Sequence, residues 1–185
     1  MLHNWATRWH MSFNADKTKY MIVSKKQSID TQNLYLADKK LDNVSSFKHL
    51  GLYFDDKMTW ETHVKHLVSK VNKKIGLLWK VGTHFPRKCT DNIYCTYVRP
   101  LLDYGCSVYD GMNRQLCDQL EAVQRRAALA CTRAFNRTSS KALLNELGWP
   151  SLESRRKYFR LVQLYRIKNN LTPEYLHTIL PPVMG

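Results

Sequence analysis

No apolar run in the sequence approaches the roughly 18 residues of a membrane span. The amino terminus, MLHNWATRWHMSF, lacks an apolar stretch of the secretory kind. A secreted or membrane-embedded protein is therefore not expected, and an intracellular place, nucleus or cytoplasm, is. Cysteine is scarce and odd in number: Cys89, Cys95, Cys106, Cys117 and Cys131 form no C-x-x-C pair, which argues against a disulfide framework and a zinc knuckle. Cysteines on apolar helical faces read as small buried hydrophobes, and the compartment as reducing. No glycine-rich phosphate loop, Ser-His-Asp signature, internal repeat or low-complexity tract occurs. His63 and His66 lie one helical turn apart, but no second pair completes a tetrahedral site, so no residue is assigned to a metal. Acidic residues are also in deficit, 15 against 29 Lys and Arg, a net charge of +14 over 185 residues. That balance points to a polyanionic partner.

Apolar residues make up 44% and aromatics 11%, enough for a packed core. The pattern changes near residue 59. Before it, short runs rich in β-branched and aromatic residues (Tyr20 to Val23, Leu34 to Leu36, Phe47 to Phe54) alternate with polar turns and predict strands. After it the periodicity is helical. The expected fold class is α+β, a short antiparallel β element over residues 1–58 followed by a mostly helical bundle over 59–185.

The first expected helix runs from Trp60 to about Val81, with amino-cap chemistry from Asp55 or Asp56 and Thr59 and a stop at Gly82. Val64, Leu67, Val68, Val71, Ile75 and Leu78 share one face; His66, Lys70, Lys73 and Lys80 share the other. A second helix is expected from Arg87 to Val98, closed by Arg99-Pro100, and a short apolar segment from Leu101 to Tyr109. The next, from Arg114 to Arg133, has Leu116, Leu120, Val123, Ala127 and Cys131 on one stripe. Arg125 stands opposite, and Arg126 and Arg133 flank it. Ser139 caps a short helix through Leu147, ended by Gly148, and Ser151 introduces a last one to about Asn170. Its expected apolar face is Tyr158, Leu161, Val162 and Tyr165, with Arg156 and Arg160 outward. Residues 111–185 hold 12 Lys and Arg against 5 Asp and Glu, so half of the excess charge, +7, lies there.

Lys70, Lys73, Lys80, Arg125, Arg126, Arg156 and Arg160 are accordingly candidate phosphate contacts, with affinity that falls steeply with salt. Tyr53-Phe54-Asp55-Asp56 has the Tyr-x-Asp-Asp form of a metal-binding polymerase turn. A palm needs an earlier Asp strand and a fingers domain, yet only 52 residues precede Tyr53, and Asp56 leads into a helix rather than a strand. The competing reading is a carboxylate pair favoured by the helix dipole.

Several blocks together carry a family resemblance. SFNADKTKYMIV (Ser12 to Val23) resembles the "L-N-x-x-K-T-x-x-M" motif D of reverse transcriptases from non-LTR retrotransposons. FKHLGLYFDDKMTWETHV (Phe47 to Val64) is similar to their "F-K-Y-L-G-V…D…L-x-W-x-x-H-I" block. YVRPLLDYGCSVYDG, LEAVQRRAAL and LGWPSLESRRKYFRLVQLYRIKNN resemble blocks farther downstream. The match, closest to the jockey-like or LINE-like class, runs in the family's order over most of residues 9–170. Tyr109 stands where Trp is frequent, and Leu52 where Val is.

The resemblance implies a palm edge with motif D and primer-grip strands, then a thumb and its extension. By position it puts Asp55-Asp56 downstream of the catalytic turn, so the catalytic carboxylates are expected to be absent. Lys17 takes the place of the motif D lysine, near the phosphates of an incoming nucleotide. Phe47, Lys48, His49, Leu50 and Gly51 match the primer-grip strand. The parent activity is RNA-directed DNA polymerisation with Mg²⁺. No cofactor is expected in this chain, and it is expected to be inactive alone. Its implied partners are an RNA/DNA template–primer duplex and the upstream palm and fingers of the parent polymerase. The alternative is a domesticated, non-catalytic nucleic-acid-binding or protein-interaction module.

Overall fold

A computed structural model describes residues 2–24, 26, 33–36 and 39–179. The polar segment 27–32, expected as a turn, and the Pro181-Pro182 tail, expected to fray, lie outside them. The chain is α+β and forms two compact units, Met1–His63 and Val64–Gly185.

The first unit opens with α1 (Leu2–Arg8), followed by paired short strands. β1 (Lys19–Tyr20) runs parallel to β4 (Asp42–Asn43); β2 (Tyr35–Leu36) and β3 (Lys39–Lys40) pair antiparallel. β5 (Ser46–His49) and β6 (Leu52–Asp55) form an antiparallel hairpin in which His49 pairs with Leu52. The parallel pair departs from the wholly antiparallel element expected. The run Phe47 to Phe54, read as one extended stretch, is broken by a two-residue turn, because Leu50 and Gly51 both adopt positive φ (45° and 85°). Two left-handed residues give the tight turn whose twist suits a hairpin. Ala6, Leu52 and Trp60 are the buried apolar residues described in this unit, while Trp9 and Tyr35 stand in solvent.

The second unit is helical. α2 (Glu61–Gly82) buries Val64, Leu67, Val71, Ile75 and Leu78 of the apolar stripe read from the sequence, and leaves Val68 half-buried. Its last residue, Gly82, lies so close to the Ala130 carbonyl that a Cβ would sit 3.3 Å from that oxygen. α3 (Arg87–Ile93) does not stop at Arg99-Pro100. It continues through a π-helical turn (Tyr94–Val98) into α4 (Arg99–Asp103). A wider π turn tolerates the proline, whose missing N–H falls at the start of the next helical segment, where none is needed.

α5 (Arg114–Thr132) packs against α3, α6 (Ser140–Leu147) and α7 (Leu152–Lys168). Leu116, Leu120, Val123, Ala127 and Cys131 are buried on it, as the periodicity predicts, and Ala128 and Ala130 keep its neighbours close. The caps are local chemistry. Asn113, Ser139 and Ser151 each accept a hydrogen bond from an amide three residues on, and Gly148 ends α6 at φ 66°. A carboxylate joins the Ser151 hydroxyl at the start of α7, where Glu121 accepts the amides of Leu152 and Glu153. Between elements, Tyr94 stacks on Trp149 at 3.8 Å and 14°, and the Trp149 indole donates to Asp91 at 2.7 Å. Tyr109, in the position where Trp is frequent, is fully buried and donates to the Leu102 carbonyl at 2.7 Å.

Candidate nucleic-acid interface

α2 turns by about 100° per residue, so Lys70, Lys73 and Lys80 fall in an arc of about 80° turned away from the buried stripe. All three are exposed, and among the described residues no carboxylate pairs with them. Over ten residues they cover about 15 Å of axis at 1.5 Å per residue. Lys74 lies beside this arc with its ammonium 3.2 Å from the centroid of the Tyr97 ring. That cation lowers the Tyr97 phenol pKa from its ordinary value, through a hydrogen bond first and its charge second.

The arginines divide. Arg126 is exposed. Arg125 donates to the carbonyls of Asn136 and Thr138, so its guanidinium braces the loop after α5. Arg156 corrects the sequence expectation, because it faces inward at 3% exposure and its Nε lies 3.2 Å from Asp110. Arg160 remains in solvent, though its Nη1 reaches the other oxygen of the same carboxylate at 2.5 Å. Arg155, which the sequence did not single out, holds Asp103 with two bonds of 2.8 and 2.7 Å. These carboxylates lie 46 to 52 residues away in sequence, and they turn α7 about its axis. Tyr158 and Tyr165, expected in the core, are each 63% exposed, and Leu161 is exposed with them.

In the first unit, Lys17 is exposed on a turn rather than a strand. Asn14 organises that turn, its side-chain oxygen accepting the amides of Asp16 and Lys17. Phe47, Lys48 and His49 lie on β5; Leu50 and Gly51 form the hairpin tip, with Leu50 76% exposed. The Lys48 ammonium sits 5.5 Å over the ring of Tyr53, its cross-strand neighbour.

Asp55 ends β6 and is buried. Its Oδ1 accepts the amides of Lys57 (3.2 Å) and Thr59 (2.8 Å), and its Oδ2 that of Trp60 (2.8 Å). Burial pushes its pKa up, but the hydrogen bonds from Thr59, Trp60 and Lys57 outweigh it and hold the carboxyl below its ordinary value of 3.8. The carboxylate therefore binds the backbone that leads into α2. No group of three or more metal-ligating side chains occurs among the described residues.

Two curated relatives match over most of the chain. The Retrovirus-related Pol polyprotein from type-1 retrotransposable element R1 of Nasonia vitripennis is 26% identical over 160 residues, 80% of this chain and 47% of that protein. The RNA-directed DNA polymerase from mobile element jockey of Drosophila melanogaster is 22% identical over 178 residues, 93% of this chain and 19% of the polymerase. The chain is related to the reverse transcriptases of non-LTR retrotransposons. A third such relative, the probable RNA-directed DNA polymerase from transposon X-element of Drosophila melanogaster, is 21% identical over 131 residues. The matches cover less than half the length of each of these three proteins. No family model matches the sequence, and no solved structure matches the fold. The motif blocks read from residues 9–170 fall in the part of the chain that the jockey match nearly covers in full.

Proposed function

We propose that this chain holds an RNA/DNA template–primer duplex for a retrotransposon reverse transcriptase and does not polymerise by itself. The exposed lysine arc of α2 carries the reading. Three cations with no carboxylate partner among the described residues, spread over about 15 Å on one helix face, suit successive phosphates of a nucleic-acid backbone. In this reading the second unit is the thumb and its extension, and the first is a palm edge. The β5–β6 hairpin lies against the primer end, and Lys17 reaches toward nucleotide phosphates. The commitment of Asp55 to three backbone amides supports placing the Mg²⁺-binding carboxylates elsewhere in the parent polymerase, with its palm and fingers. The protein would then act inside the cell; no described helix is long and apolar enough to cross a membrane.

Titrating a labelled RNA–DNA duplex at two salt concentrations tests this. Affinity should fall steeply with salt, and replacing Lys70, Lys73 and Lys80 together by Ala should flatten the log–log slope by about 2.7, at about 0.9 per phosphate contact. Absence of binding at low ionic strength would refute the duplex reading. Nucleotide incorporation with Mg²⁺ that Asp55→Ala abolishes would refute the placement of the active centre. A second reading, a non-catalytic protein-interaction module, draws on the exposed Tyr158, Leu161 and Tyr165 of α7.

A further inference from the structure

A cavity of about 200 Å³ lies between the start of α5 and the first turns of α7. Arg114 lines it from α5; Glu153, Arg156, Lys157 and Arg160 line it from α7; and Asp110 comes from the segment before α5. The α7 residues follow the i, i+3, i+4, i+7 spacing that puts side chains on one helix face. Four cations and two carboxylates therefore converge with a net charge of +2.

Arg156 makes this more than a charged surface. Its side chain is only 4% exposed, and among the described residues its one hydrogen bond runs from Nε to Asp110. A guanidinium carries five N–H donors, so the two terminal amino groups of Arg156 remain for water or a ligand in the cavity that this side chain lines. An oxyanion can take the place of that water, and a planar guanidinium matches phosphate oxygens with two parallel bonds. Asp110 fixes the receptor, because its two oxygens hold Arg156 and Arg160 at 3.2 and 2.5 Å. Glu153, in turn, lies 3.8 Å from Arg114.

Size and charge narrow the ligand. Sites that enclose small molecules run from about 300 Å³ upward, so this cavity takes a phosphate group and leaves a sugar and base outside. A phosphate monoester carries about −1.5 to −2 near neutrality and suits a lining of four cations and two carboxylates, beside which Asp118 pairs with Arg114 at 3.1 Å. An internal phosphodiester, with a sugar on each side and a single negative charge, fits a concave site less well. We infer that this cavity binds the terminal phosphate of a nucleic-acid strand, an inference that rests on the duplex-binding reading and gives it a strand end.

The test is anisotropy with two labelled RNA–DNA duplexes that differ only in a 5′-phosphate or a 5′-hydroxyl. The phosphorylated duplex should bind about five- to tenfold more tightly. Lys157→Glu reverses one exposed lining charge without removing a buried partner, and it should erase the preference. Arg156→Gln should do the same, provided circular dichroism shows it folded. The triple Lys70, Lys73, Lys80 to Ala variant should weaken both duplexes alike and keep the preference. Equal affinity for the two ends with duplex binding intact overturns the cavity proposal, as does a preference that survives Lys157→Glu. If neither duplex binds, the duplex reading has failed, and inorganic phosphate followed by phosphorus NMR decides the cavity alone. Line broadening that Lys157→Glu removes sustains it, and absence of broadening overturns it.

Discussion

Replacing Asp55 with Ala removes the acceptor for three amides in six residues, and the cost follows from where those amides lie. Lys57 and Thr59 are exposed, so their N–H groups recover water when the carboxylate goes. Trp60 is 4% exposed, and its N–H does not. An unsatisfied buried donor costs about 1–3 kcal/mol, and a bond to a charged acceptor contributes about 1.5–3. The same carboxylate holds the amide of Trp60, whose φ of 68° is a left-handed conformation that costs about 1–2 kcal/mol. Asp55→Ala should therefore destabilise this corner by about 3 kcal/mol. Asp55→Asn should cost about 1–2, since one oxygen still serves one set of amides while the NH₂ opposes the other. Asp56→Ala should fall within about 0.5.

The chain has two compact units, so one global unfolding energy is not a safe readout. Hydrogen exchange of the Trp60 amide reports the corner directly, and Asp55→Ala should speed it by about a hundredfold, the equivalent of about 3 kcal/mol. Because the folded-state pKa of Asp55 lies below 3.8, its contribution is complete above that value and fades as the pH drops below it through the folded pKa. Exchange at Trp60 that Asp55→Ala leaves unchanged, or changes no more than Asp56→Ala does, would refute this account.

Burial pushes the thiols of Cys106 and Cys131 up to about 11 and about 12, so at neutral pH both stay protonated and inert while Cys89 is exposed. Iodoacetamide on the native protein should label Cys89 first and leave Cys106 and Cys131 untouched, which peptide mass spectrometry checks. Trp149→Phe keeps a ring against Tyr94 but leaves Asp91 without the indole N–H, and it should cost about 1 kcal/mol. Thermal unfolding should show a drop of a few degrees, and an unchanged midpoint would refute the role given to that bond.

Features built on neighbouring residues were legible in the sequence. Ser139 and Gly148 bound α6 as read, because a cap needs only an amide three residues away and a stop needs only a glycine free to turn left-handed. The α2 and α5 stripes were legible because their apolar residues repeat with the period of the helix and face protein, which leaves Lys70, Lys73 and Lys80 in solvent. Arg99-Pro100 misled because a π turn, which no local residue signals, carried the chain past the proline.

The reversed face of α7 had a longer-range cause. Its apolar periodicity selects Tyr158, Leu161 and Tyr165, but Asp103 and Asp110 draw Arg155 and Arg156 to the opposite side. That choice creates the cavity at Arg156 and leaves two tyrosines in water. The sequence by itself determined the basic excess, the helical stripes and the caps, which depend on composition or on residues within a turn or two, and the family resemblance, which depends on the order of its blocks along the chain. Only the tertiary structure decided which arginines stay in solvent and which are braces. A guanidinium's task depends on the carboxylate or carbonyl that reaches it, and here those partners come from other elements of the fold.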